Sequence, residues 1–206
     1  MNATRQGNRR DEALREQIIE EASRLFSKFG PAKTTMQDIA RRLSMSQGNL
    51  YNYFTSKSAI IEAVGDRIYG DFSARIDAAL AGTSGGWSQI EVIFISIYHF
   101  VRDDSGDEQD IIRQRLIEGR GQWGYAMKFE AYLLDSLTRI LSAAASPGQA
   151  EMADGRSHAR VIADCMAFGL APSRVLHDID PAEHEARVRA QLTFVQAGLQ
   201  ALGYRL

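Results

Sequence analysis

The chain holds a single cysteine, Cys165, in 206 residues. An internal disulfide is therefore excluded, as is a zinc site drawing two or more thiolates from one chain. A reducing cytoplasm suits such a sequence. Only four prolines punctuate it, and no stretch alternates apolar and polar residues as a half-buried strand does. No apolar run approaches the roughly 20 residues a membrane span requires, so no membrane partner is expected. The opening residues 1–10 lack the apolar centre of a secretory leader. Catalytic serine-elbow, zinc-protease, P-loop and dinucleotide glycine patterns are all missing. No enzyme activity, metal or cofactor is expected.

What is present is an ordinary globular balance, 45% hydrophobic and 24% charged residues, enough to bury a core. The net charge is −2, but it is unevenly spread. Residues 1–58 hold ten Lys and Arg against six Asp and Glu, and the remainder holds fourteen against twenty. A basic end on an acidic protein points to one surface that meets a polyanion.

The apolar spacing is helical almost throughout, which predicts an all-α fold of about nine helices. Residues 1–10 carry Arg5, Arg9 and Arg10 without an acid and read as a loose arm. From Asp11 to Phe29 the apolar residues Leu14, Ile18, Ala22, Leu25, Phe26 and Phe29 form one buried stripe, which Gly30 and Pro31 end. Three start signals follow: Thr35 with Asp38, Ser46, and Ser56. A long helix from Ser56 runs to about Leu80, with Gly65 and Gly70 as bending points. Further helices are expected over 87–102, 107–118, 122–144 and 153–170. The last begins at Asp180, with Pro181 and Glu183 as added start signals.

Residues 34–57 form the informative stretch. They read as a helix, a turn at Ser44, Met45 and Ser46, and a second short helix. Leu50 and Phe54 point inward with Ile39, Leu43, Leu25 and Phe26. Around them stand Gln47, Gly48, Asn49, Tyr51, Asn52 and Tyr53, a set without a carboxylate. Gln and Asn can bond an adenine edge in two places, and Tyr hydroxyls can reach phosphates. Gly48 removes bulk where a helix start would approach DNA. This is the layout of a helix-turn-helix recognition helix.

At these positions the chain resembles the tetracycline-repressor (TetR) family of bacterial regulators. The matching residues are Ala22, Leu25, Phe26, Phe29 and Gly30, then Thr34, Thr35, Met36, Asp38, Ile39 and Ala40. Ser46, Gly48, Leu50, Tyr51, Tyr53, Phe54, Ser56 and Lys57 complete the set. Ser44, where the family has Gly, and Ala59, where it often has an acid, depart from it. The resemblance implies a helix-turn-helix DNA-binding domain over residues 1–56 and an effector-binding and dimerisation domain over 57–206. It implies that Thr35, Tyr53 and Lys57 hold phosphates of a pseudo-palindromic double-stranded operator. Gln47, Gly48, Asn49, Tyr51 and Asn52 would face the groove.

The final helix carries Val188, Leu192, Val195, Leu199 and Leu202 at alternating spacings of four and three, a seam for packing helix on helix. The resemblance implies a homodimer built on the last two long helices, so this seam, with Cys165, Met166 and Gly169 before it, is expected at the interface. The alternative is an ordinary core helix. Phe94, Tyr98, Trp123 and Met127 are the candidate walls of a site for a small hydrophobic effector, with plain core packing as the alternative. His99 and His158 would contact that ligand or make core hydrogen bonds. The chain is read as a ligand-responsive transcriptional repressor. The alternatives are an all-helical enzyme and a DNA-binding regulator governed by a protein partner.

Overall fold

A computed structural model of the protein describes residues 2–102, 124–145, 155–170 and 180–205. Among these are eight helices and no strand. They are α1 (Asn2–Phe29), α2 (Met36–Arg42), α3 (Gln47–Tyr53), α4 (Lys57–Ala81), α5 (Gly86–Arg102), α6 (Gly124–Ala144), α7 (Gly155–Gly169) and α8 (Pro181–Ala201). The helix expected over 107–118 lies outside the described residues. None of the described helices is long and apolar enough to cross a membrane.

The element boundaries follow from local chemistry. Gly30, at φ +81°, ends α1 in a left-handed conformation that only glycine adopts freely. At α2 the Thr35 hydroxyl accepts from the Asp38 N–H at 3.1 Å, and the Asp38 carboxylate accepts from the Thr35 N–H at 3.0 Å. Both halves of a capping box are thus present. Ser46 accepts from the Asn49 N–H and Ser56 from the Ala59 N–H, each at 3.1 Å. Asp180 accepts from the N–H groups of Ala182 and Glu183 ahead of α8. That helix closes with Gly203 at φ +89° and the Tyr204 N–H on the Leu199 carbonyl.

The expected loose arm is instead the beginning of α1, which is helical from Asn2. No proline interrupts residues 2–10, and adding residues to an existing helix costs far less than starting one.

The chain divides into two compact units. The first comprises residues up to Tyr69 together with Gly124 and Tyr125; the second comprises the rest of the described residues from Gly70 onward. In the first unit Ile18, Ala22, Phe26, Ile39, Leu50, Phe54, Ile60 and Val64 are buried. In the second, Phe72 stacks on Phe100 at 4.0 Å and meets Phe129 at 5.6 Å. The Tyr132 hydroxyl donates to Asp77 at 2.8 Å, and its pKa is pushed up to about 12 by burial and then by that carboxylate. His158 is half-buried in this unit, its Nδ1 2.7 Å from the Tyr204 hydroxyl. His99 is exposed and lies 3.9 Å from Glu185.

The seam on the last helix is spent inside the protomer. Val188, Leu192 and Leu199 are buried within the single chain, as is Met166 on α7. They cannot also face a partner, which corrects the expected interface. Val195 is half-buried, and nothing is described of the Gly169 surroundings. Cys165, expected at the interface, is exposed in the protomer. So are Val161 on α7 and Phe194 and Leu202 on or beside α8, with Phe194 at 83%.

The turn between α2 and α3 places Ser44 at φ +53°, the only non-glycine with positive φ among the described residues. The left-handed region costs an L-residue roughly 1–2 kcal/mol, which glycine avoids at some cost in unfolded-state entropy. Ser44→Gly is therefore expected to stabilise the protein by up to ~1 kcal/mol. Urea unfolding at constant m-value measures it, and a loss of stability would contradict the turn geometry.

Candidate nucleic-acid interface

The first unit holds α3 by its underside. Leu50 is fully buried and Phe54, just past the helix, nearly so. The guanidinium of Arg15 covers the Phe54 ring at 4.7 Å, a favourable cation–ring contact. With that side fixed, Gln47, Gly48, Asn49, Tyr51 and Asn52 are all exposed, Tyr51 by 45%. The face expected from sequence to meet the groove is thus assembled on one short helix, and it carries no acid. The Asn52 amide leans toward the Asn49 carbonyl oxygen at 3.5 Å, a separation long enough to leave both side chains available.

Gly48 is informative because the protein does not require it. A Cβ there would meet only the Ser46 hydroxyl oxygen, at 4.0 Å. Its φ is not in the left-handed region. Alanine is the better helix former by about 1 kcal/mol, so the fold alone favours a larger residue.

Three side chains are expected at phosphates. Thr35 is exposed at the start of α2, its hydroxyl donating to Asp38 Oδ2 at 2.6 Å. That bond and the backbone one hold the Asp38 carboxyl below its ordinary pKa, Arg41 assisting. Tyr53 donates from its hydroxyl to Asp11 Oδ1 at 3.2 Å. Desolvation, then the Asp11 charge, raises the Tyr53 pKa, so the phenol remains a donor at neutral pH.

Lys57 is placed differently. Its ammonium donates to the carbonyls of Pro31 at 2.9 Å, Thr34 at 3.1 Å and Ala32 at 3.4 Å. All three donors are committed to the loop between α1 and α2. Lys57 therefore ties that loop, and with it the Thr35 cap, to the start of α4. The phosphate contact implied by the resemblance is not what this geometry favours.

Two features escaped the sequence pattern. Asp11 partners Tyr53 across 42 positions with no local signal. Glu21 is a nearly buried acid that accepts from Arg42 at 2.7 Å and Arg24 at 3.2 Å. It tethers α1 to α2, and it had a signal: an acid on the apolar stripe of Ile18, Ala22 and Leu25. Beside it a cavity of about 370 Å³ opens between Leu25, Phe29, Lys33, Arg41 and Arg42.

Three of the four candidate effector walls lie among the described residues. Phe94 and Tyr98 are buried on α5, and Tyr98 lies against His184 at 5.7 Å between ring centres. Met127 is 65% exposed; two positions after Tyr125, it falls on the opposite side of α6 from the buried stripe. Trp123 lies outside the described residues.

Comparison with known proteins gives the same location for the motif. Residues 18–64 match the family model described as bacterial regulatory proteins, tetR family. The HTH-type transcriptional regulator TtgR of Pseudomonas putida is 40% identical over 55 residues, 27% of this chain and 26% of TtgR. The chain spans less than half the length of the curated relatives it matches. A TetR-family transcriptional regulator from Pectobacterium atrosepticum superposes with TM-score 0.65 at 19% identity, covering 94% of this chain and 95% of that one. The transcriptional regulator FadR from Bacillus subtilis, solved in complex with stearoyl-CoA, superposes with TM-score 0.58 at 15% identity over 91% and 96%. At such identities the likeness is one of fold.

The Asp38 carboxyl supplies a direct check of the cap. Its folded pKa is depressed, so its contribution to stability is present above the ordinary Asp value of 3.8 and is lost as pH falls through the lower folded value. An NMR titration is expected to place the Asp38 midpoint below 3.8. Thr35→Ala is expected to move that midpoint upward. A midpoint unmoved by the substitution would show that the hydroxyl does not hold the carboxylate.

Proposed function

We propose, from the premise that the chain belongs to the TetR family of bacterial regulatory proteins, that it is a transcriptional regulator that reads duplex DNA through residues 34–57. The observation that carries this is the exposed, carboxylate-free face of α3, with Gly48 small although nothing among the described residues needs it small. Gln47, Asn49 and Asn52 read base edges. Gly48 and Tyr51 lie against the groove, and Thr35 and Tyr53 take phosphates. Lys57 acts by fixing the loop that carries Thr35. DNA binding belongs to residues 1–56, and effector binding and dimerisation to 57–206.

The protein acts as a repressor that a small hydrophobic effector releases. The aromatic character of the second unit, with Phe72, Phe100, Phe129 and Tyr132 in mutual contact, suits an acyl or aromatic molecule. The effector shifts a pre-existing equilibrium between forms with different operator affinity. Two copies pair through the outward faces of α7 and α8. There Val161 and Cys165 are one turn apart, and Phe194, Gly198 and Leu202 follow at successive steps of four. Val161, Phe194 and Leu202 are large apolar side chains exposed in the protomer, and a Cβ at Gly198 would meet nothing within 4 Å. That is room for a second helix to approach.

Selection of duplexes from a random library, followed by a salt titration against a scrambled duplex, tests DNA reading. The selected duplex is expected to bind more tightly at every salt concentration, with log affinity linear in log salt. Gly48→Ala is expected to stabilise the fold by up to ~1 kcal/mol while weakening the selected duplex about tenfold, as an added methyl in a close-packed contact does. Lys57→Met is expected to lower stability and affinity without changing the salt slope. Equal binding to both duplexes would refute the function outright.

The interface has its own test in light scattering. Phe194→Glu is expected to give a folded monomer, because the side chain is exposed in the protomer and buries charge only on pairing. Leu192→Glu is expected to unfold the chain instead. A dimer surviving Phe194→Glu would place the interface elsewhere.

A further inference from the structure

Within the first unit, one face of α4 grips the start of α6. Glu62, Gly65 and Tyr69 are spaced three and four apart, so they share that face. The Glu62 carboxylate accepts from the N–H of Gly124 at 2.7 Å and of Tyr125 at 3.2 Å. These are donors that the first turn of a helix leaves without an internal partner, and the carboxylate also suits the positive end of the helix dipole. The cap comes from a residue 62 positions away.

Between those groups the Tyr125 ring is fully buried, among the largest side chains so enclosed. It rests directly on the backbone at Gly65, where a Cβ would stand 2.3–2.6 Å from three ring atoms. Tyr69 stacks on its other side at 5.6 Å with the planes 18° apart. Burial, with Tyr69 and Glu62 adding to it, keeps the phenol neutral far above its ordinary pKa. Gly65, expected from sequence to be a bending point, is the seat of this ring, in the helix from Lys57 to Ala81.

We propose that Tyr125 is a positioning residue for DNA recognition: seated at Gly65 and capped by Glu62, it fixes α4 and so the orientation of α3. The proposal presupposes the regulator function above and names a residue that fixes the orientation of the reading helix. The seat lies on α4, the helix whose first residue, Lys57, holds the Thr35 loop.

The test uses the full chain, the duplex it selects, and amide exchange over residues 47–53 and 57–69. Tyr125→Ala empties the seat, Gly65→Ala obstructs it, and Tyr125→Phe keeps the ring. Tyr125→Ala and Gly65→Ala are each expected to weaken the selected duplex about tenfold, a typical coupling between sites. The salt slope should stay that of the parent, because the phosphate contacts are unchanged. The double variant should be no weaker than Tyr125→Ala, since the added methyl then meets no ring. Tyr125→Phe should bind as the parent does. Exchange over both segments should quicken in Tyr125→Ala and not in Tyr125→Phe. Parental affinity in Tyr125→Ala overturns the proposal, and so does an equal loss in Tyr125→Phe. A loss that merely tracks thermal stability, with exchange over 47–53 unchanged, also overturns it. If the parent selects no duplex, the regulator function fails by itself. The seat is then judged on exchange alone, upheld by quickening over 47–53 and overturned by its absence.

Discussion

The burial of Leu50 is the constraint on which the rest of the interface depends. A helix of seven residues has no stability of its own in water, where even well-designed helices need roughly 12–15. α3 exists because Leu50 and Phe54 enter the small core beneath it and Ser46 caps it. Every residue offered to solvent is oriented by that one anchored side. The same logic explains the accessory contacts. Arg15 covers Phe54, Glu21 ties α1 to α2, and Lys57 ties the intervening loop to α4. None of them touches the exposed face, yet each removes a way for it to tilt.

Electrostatics divide along the same line. Three acids of the basic end are engaged by structural partners. Glu21 is turned inward and held by two guanidiniums, Asp38 is engaged in the α2 cap, and Asp11 is turned to the Tyr53 hydroxyl. An unneutralised carboxylate near a polyanion would oppose binding over about a Debye length, near 10 Å at 0.1 M salt. These three acids are each committed to a structural partner.

Most of the fold was legible in the sequence because its signals are local. The caps at Thr35, Ser46, Ser56 and Asp180 need only a hydroxyl or carboxylate and the next three residues, and each appears as expected. The α3 face was legible for the same reason. What failed was any inference that needed to know which neighbour an apolar stripe meets. Val188, Leu192 and Leu199 have the spacing of a seam, but spacing cannot distinguish a partner's helix from the protomer's own, and here they pack within the protomer. Met127 was grouped with Phe94 and Tyr98 on composition, although its helical phase puts it outside. The Tyr53–Asp11 and Glu62–Tyr125 pairings join distant residues and leave no periodic trace.

Three positions break a local rule, and how each is resolved differs. Ser44 takes a left-handed conformation that the turn imposes, a cost in the fold with its cause visible beside it. Gly65 weakens a helix interior, and the cause is again internal, since the Tyr125 ring occupies the space a side chain would need. Gly48 also weakens a helix, but nothing in the described protein lies where its side chain would go. Natural sequences depart from local preference chiefly where function requires it. A glycine with an internal occupant reports on packing. A glycine at an exposed helix start, flanked by amide side chains and free of acids, reports on something outside the chain that must come close. In the proposed function that surface is a base-pair edge in the major groove, which offers partners to amide side chains and backbone N–H groups.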